Sequence, residues 1–110
     1  CKIAGSKLIV VLGHTKCGAI EYACNDIELG NITNLLNKIK PAIQMEKETT
    51  AERNGNNRLF MNNVTTNNVH LTVKKIKEQS SLLAEMEKSG KIKIIGGLYD
   101  LDTGLVTFYE

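Results

Sequence analysis

The 110-residue chain predicts an α/β fold: a parallel sheet flanked by helices, with an antiparallel strand at its C-terminal end. Three observations carry this. An unbroken apolar and largely β-branched run, Leu8-Ile-Val-Val-Leu12, ends at Gly13 and has the make-up of a parallel strand. Helical periodicity then fills most of the chain up to a second strand-like run at 91–99. A helix-bearing connection of that kind implies a parallel pair with a right-handed crossover. Finally, Asp102-Thr-Gly104 is a turn signal, so 105–109 should fold back antiparallel beside the second strand.

Taken in order, residues 1–6 read as a helix end closed by Gly5 and Ser6. The first strand, 7–13, is apolar at successive positions and is expected to be buried on both faces. A short helix runs from Cys17 or Gly18 to about Asp26, marked by Ala19, Ile20, Tyr22 and Ala23, and Gly30 breaks it. Asn31 or Thr33 can cap the next helix, in which Ile32, Leu35, Leu36, Ile39 and Ile43 form an amphipathic stripe. The single proline, Pro41, falls inside that stripe and predicts a kink or a join of two helices near Lys40. Residues 46–58 are polar, with a loop signal at Asn54 to Asn57.

Helix is expected again from about Leu59 to Gln79, with apolar stripes at Phe60, Val64, Leu71 and at Val69, Val73, Ile76. Asn62, Asn63 and Asn67 are weak helix formers and are expected on a solvated face. His70, among polar neighbours, is expected at the surface. Ser80 or Ser81 opens a short helix that Gly90 stops. In the second strand, Gly96-Gly97 predicts a bulge or a close backbone approach.

Composition narrows the function classes. One hundred and ten residues make one domain at most. The 14 basic and 12 acidic residues are well mixed and leave a net charge of +2, which provides no basic face for nucleic acid. The longest apolar run is far short of a membrane span. An odd count of three cysteines argues against a disulfide framework and for a reducing compartment, so a cytoplasmic location is expected.

The chemistry concentrates at His14 and Cys17, where the first strand ends and a helix begins. That is the carboxyl end of the sheet, where α/β folds hold their sites. Imidazole and thiolate are favoured zinc donors, and a tight turn can bring both onto one ion. A helix starting after Cys17 would favour its thiolate. Two donors fall short of the four that zinc takes. The alternative is a cysteine acting as a small apolar residue, with His14 bonded to a backbone carbonyl. A redox role is weaker, because no Cys-x-x-Cys is present and Cys24 lies seven residues past Cys17.

The stretch Leu8-Ile-Val-Val-Leu-Gly-His-Thr-Lys-Cys-Gly-Ala-Ile20 resembles the second zinc motif of the β-class carbonic anhydrases. The far end, Ser81 to Met86 and then Gly90-Lys-Ile-Lys-Ile-Ile-Gly-Gly-Leu-Tyr-Asp-Leu-Asp-Thr-Gly-Leu-Val-Thr-Phe-Tyr109, resembles the same family, the tail matching its last two strands. Asn68, Val69, Val73 and Ile76 fit its long helix, with Asn68 at a buried position. The tail around Gly96 to Val106 resembles the transporter-associated bacterial branch. The family's earlier Cys-x-Asp-x-Arg motif has no match here. The resemblance therefore implies a single partial domain over 1–110, corresponding to the C-terminal half or so of such a protein.

It also implies Zn2+ as cofactor, with His14 and Cys17 as two ligands and the absent motif's cysteine as a third. Water would fill the fourth position, or the absent Asp in a closed state, with the absent Arg holding that Asp off the metal. The Gly18 backbone would lie close to the site, where a side chain would crowd it. Thr15 and Lys16 read as turn residues only. The implied activity is reversible hydration of carbon dioxide to bicarbonate by the intact protein, with a homodimer or higher homo-oligomer as the assembly. The competing reading is a non-catalytic carbonic-anhydrase-like binding or regulatory module. A closed structural zinc site is disfavoured, because a helix between Cys17 and Cys24 would separate them by about 10 Å.

Overall fold

The structure, a computed structural model, describes residues 5–26, 30, 32–49 and 51–109. Its elements are β1 (Leu8–His14), α1 (Gly18–Cys24), α2 (Ile32–Asn37), α3 (Lys40–Met45), α4 (Arg58–Gln79), α5 (Ser81–Lys88), β2 (Lys93–Tyr99) and β3 (Val106–Tyr109). The helix end expected at 1–4 and the cap expected at Asn31 lie outside the described residues. Thr33 falls inside α2 rather than ahead of it. Among the described residues, no helix is long and apolar enough to cross a membrane.

The three strands form one sheet in the order β1-β2-β3. β1 and β2 are parallel, Leu8 opposite Lys93 and His14 opposite Tyr99. β3 returns antiparallel, with Gly96 opposite Tyr109. This is the expected α/β arrangement. Gly104, at φ +73°, makes the return possible, because its backbone conformation disfavours a side chain.

Local signals explain several helix ends. The Asn57 side chain accepts from the Phe60 amide at 3.2 Å and starts α4. Ser80 does the same for Leu83 and starts α5, and Gly90 follows at φ +80°, as helix stops do. Pro41 lies in the first turn of α3, where its missing N–H costs nothing. The break at Lys38–Ile39 is thus the expected join of two helices.

The main core lies among the helices. Ile20, Ala23 and Cys24 of α1 meet Leu36, Ile39, Ala42, Phe60 and Val64. Arg53 stitches the loop after α3 by donating to the carbonyls of Ile43, Glu46 and Thr49 and stacks over Phe60 at 4.8 Å. Glu46 is buried there and accepts from the Glu48 and Thr49 amides. Burial pushes its carboxyl up, yet hydrogen bonds from Thr49 and the Glu48 amide, with Arg53 nearby, hold it below the ordinary carboxylate value.

Two expectations are corrected, and one stated alternative is decided. β1 is not buried on both faces: Leu8 and Leu12 are each 52% exposed, and Phe108, which pairs with Gly97, is 53% exposed. α4 covers the opposite face, and among the described residues no element covers this one. β2 carries no bulge, since its ladder with β1 runs unbroken through Gly96 and Gly97. The glycines serve close approach instead, because a Cβ at Gly96 would stand 2.5 Å from Val69 Cγ1. Finally, Asn62, Asn63 and Asn67 are half-buried rather than solvated. Asn67 donates to the Ala42 carbonyl at 3.2 Å and ties α4 to α3.

Candidate functional site

His14 is the last residue of β1, and Cys17 is the capping position of α1, with extended backbone at φ −71° and ψ 120°. The Cys17 carbonyl accepts from the Glu21 amide at 3.0 Å, which opens the helix. Thr15 and Lys16 form the turn between the two. The β1 ladder fixes the direction of His14, and α1 packing fixes that of Cys17: Ile20 and Ala23 drive α1 into the helical core.

The imidazole Nδ1 of His14 donates to the Thr15 carbonyl at 2.8 Å. A carbonyl can only accept, so Nδ1 carries the proton, and in the neutral ring Nε2 is the nitrogen left for a metal. The same contact is also the backbone bond foreseen for a histidine without a metal. The Cys17 thiol is free and half-buried, and the His14 side chain is exposed.

Both residues line one cavity of about 420 Å³ between β1, α1, the α2–α3 join and α4. Its walls are chiefly apolar, from Val11, Leu12, Ile20, Leu35, Ile39 and Val69. Lys38, Asn68, Thr72 and Lys75 supply the polar part. Asn68, for which the resemblance implied a buried position, is half-buried there, and its backbone carbonyl accepts from Thr72 Oγ1 at 2.8 Å. His70 is exposed and stands apart, its ring 5.0 Å from that of Tyr109.

Imidazole and thiolate fit zinc in donor type, and the His14 tautomer fits as well. They make two of the four donors. Among the described residues, no group of three or more His, Cys, Asp or Glu comes together. Cys24 belongs to the packed core at the far end of α1, where burial outweighs the nearby Arg53 charge and pushes its thiol up to about 11. Gly18 opens α1, and a Cβ there would meet no protein atom within 4 Å among the described residues.

A set of contacts around the turn was missed in the sequence. Lys16 Nζ lies 2.6 Å from Asp102 Oδ1. The Leu101 amide donates to Thr15 Oγ1 at 3.0 Å, and the Thr15 amide donates to the Tyr99 carbonyl at 3.0 Å. The signal available was the expected pairing of the two strands, which brings the turns after His14 and after Tyr99 side by side.

Comparison with known proteins agrees with the fold and with the motif. Residues 1–106 match the family model for carbonic anhydrase. The chain is 32% identical over 102 residues to carbonic anhydrase 2 of Mycobacterium tuberculosis, covering 88% of this chain and 46% of that protein. The crystal structure of the β-carbonic anhydrase CafA of Aspergillus fumigatus superimposes with a TM-score of 0.78 at 22% identity, over 99% of this chain and 51% of that one. Wild-type CafD of the same fungus gives a TM-score of 0.62 at 20% identity, over 94% of this chain and 57% of that one.

The chain belongs to the carbonic anhydrase family, and its α/β fold is that of the β class. It spans about half the length of the curated relatives it matches.

Proposed function

We propose that this chain carries part of a zinc centre that hydrates carbon dioxide reversibly to bicarbonate and a proton, with His14 and Cys17 as two of the ligands. The observation that carries this reading is the joint placement of those two side chains on one largely apolar cavity at the carboxyl end of parallel β1, with His14 Nδ1 already bonded to backbone. Zinc, when bound, supplies the acidity that makes water a nucleophile near neutral pH.

The chain's own residues do the rest. His14 presents Nε2, and Cys17 presents its sulfur from the start of α1. The apolar wall suits carbon dioxide, which carries no charge and donates no hydrogen bond. Lys38 and Lys75, on the same cavity, suit the bicarbonate anion. A third protein ligand, with the Asp–Arg pair of the family's earlier motif, comes from outside the described residues. The cytoplasm is the proposed location, and a homodimer or higher homo-oligomer the proposed assembly, with the uncovered sheet face in support.

That the described residues bring only two such donors together is what favours the second reading, a carbonic-anhydrase-like module without catalysis. A stopped-flow pH-indicator assay with added zinc separates them, run on these 110 residues and on the longer protein that contains them. The expected result is turnover by the longer protein alone, lost together with zinc in Cys17→Ser. Equal zinc content in wild type and Cys17→Ser would overturn the ligand assignment. A zinc-loaded but silent longer protein would favour the module.

A further inference from the structure

We infer that the turn joining β2 to β3 is a strap that sets the geometry of the His14–Cys17 turn, with Lys16 and Thr15 as positioning residues. This rests on the reading of His14 and Cys17 as metal ligands. Lys16 stands between them at φ +56°, in the left-handed region. A residue with a side chain avoids that region unless its surroundings impose it.

The surroundings here are three contacts to one partner segment. Lys16 Nζ reaches Asp102 Oδ1, 86 residues on, at 2.6 Å. Thr15 takes the Leu101 amide on its hydroxyl at 3.0 Å. Its own amide extends the parallel ladder by one bond, to Tyr99 O at 3.0 Å. Both turn residues are therefore held from the same side.

The partner segment is itself stiff. Asp100 accepts the Asp102 amide on Oδ1 at 2.9 Å and the Gly104 amide on its carbonyl at 2.8 Å. Its own amide donates to Leu105 O at 2.8 Å. An exposed ion pair adds little to global stability. Its effect is to hold one strained residue in a two-residue turn. Release at Lys16 swings Cys17 relative to His14, because only that turn links the end of β1 to the start of α1.

The test uses the longest form of the protein that contains this chain. Lys16→Ala and Asp102→Asn should each weaken zinc retention against a competing chelator by about twofold to fivefold, the range of an exposed pair. The double variant should be no worse than either single one, and the exchanged pair Lys16→Asp with Asp102→Lys should recover part of the loss. Thr15→Val should cost about tenfold, the low end of what loss of outer-shell support costs. The melting temperature should stay unchanged in Asp102→Asn.

In the metal-free protein, carbamidomethylation of Cys17 by iodoacetamide, followed by peptide mapping, should quicken in the same variants while that of Cys24 does not. Cys17 labelling at the wild-type rate in every variant would overturn the strap. If the wild type holds no zinc through His14 and Cys17, the metal reading fails, and the labelling rates alone decide the strap.

Discussion

Val69 of α4 fills the space that a side chain on Gly96 would need. Its Cγ1 lies 2.5 Å from where the Gly96 Cβ would stand, and its Cγ2 2.9 Å from where that of Gly13 would stand. Val69 is thus wedged between neighbouring strands of the parallel pair and seats α4 on the sheet beside the cavity. Gly96→Ala should destabilise the protein by about 1–3 kcal/mol, the cost of overpacking a filled core. Adding Val69→Ala should return part of that loss, because the obstructing methyl is removed. Urea midpoints at fixed protein concentration measure both; an unchanged midpoint in Gly96→Ala would show that the helix can retreat freely.

Cys24 should give an alkaline signature. Burial lifts its folded-state pKa to about 11 from 9.0. The raised value means that the folded state holds the proton more tightly than the unfolded state. Stability from this group is complete below about pH 9 and is lost as pH rises towards about 11. Cys24→Ala should therefore flatten the fall in stability between those two pH values, whatever it does at neutral pH. Parallel pH–stability curves for the two proteins would contradict it.

Thiol labelling should separate the cysteines. At pH 8, iodoacetamide followed by peptide mapping should modify half-buried Cys17 well before Cys24, because the thiolate is the reacting form. Bound zinc should protect Cys17 and leave Cys24 unaffected. Protection of both, or of neither, would contradict the assignment of Cys17 as ligand.

Two helix starts offer clean stability tests. Asn57→Ala removes the acceptor for the Phe60 amide, and Ser80→Ala removes that for Leu83. Each should cost about 1 kcal/mol, within the range of lost caps. Chemical denaturation should show the two losses to be additive, since they act at opposite ends of α4.

The 110 residues alone should not form a compact monomer. Leu8, Val10 and Leu12 share with Val106 and Phe108 a sheet face that no described element covers, and exposed apolar patches of that kind drive association. Sedimentation should show oligomers or aggregates across the micromolar range. A compact monomer with a cooperative melting transition would refute this.

Much of the fold was legible in the sequence, because its signals are local. The apolar run ending at Gly13, the join at Pro41, the stop at Gly90 and the turn through Gly104 each depend on residues a few positions apart. His14 and Cys17 stood out for the same reason, as two zinc-type donors in one turn. The tertiary structure decided what depends on distant partners. Whether Gly96 marks a bulge or a close approach is settled by Val69, and whether Asn67 faces water by the Ala42 carbonyl. Burial of the Leu8 face depends on which element lies over it, and a β-branched run reads alike whether one face is covered or both. Lys16 looked like an ordinary turn residue because Asp102 is 86 positions away. Periodicity and turn chemistry record a residue's neighbours along the chain; burial and ion pairing are set by neighbours in space, and only the fold brings those together.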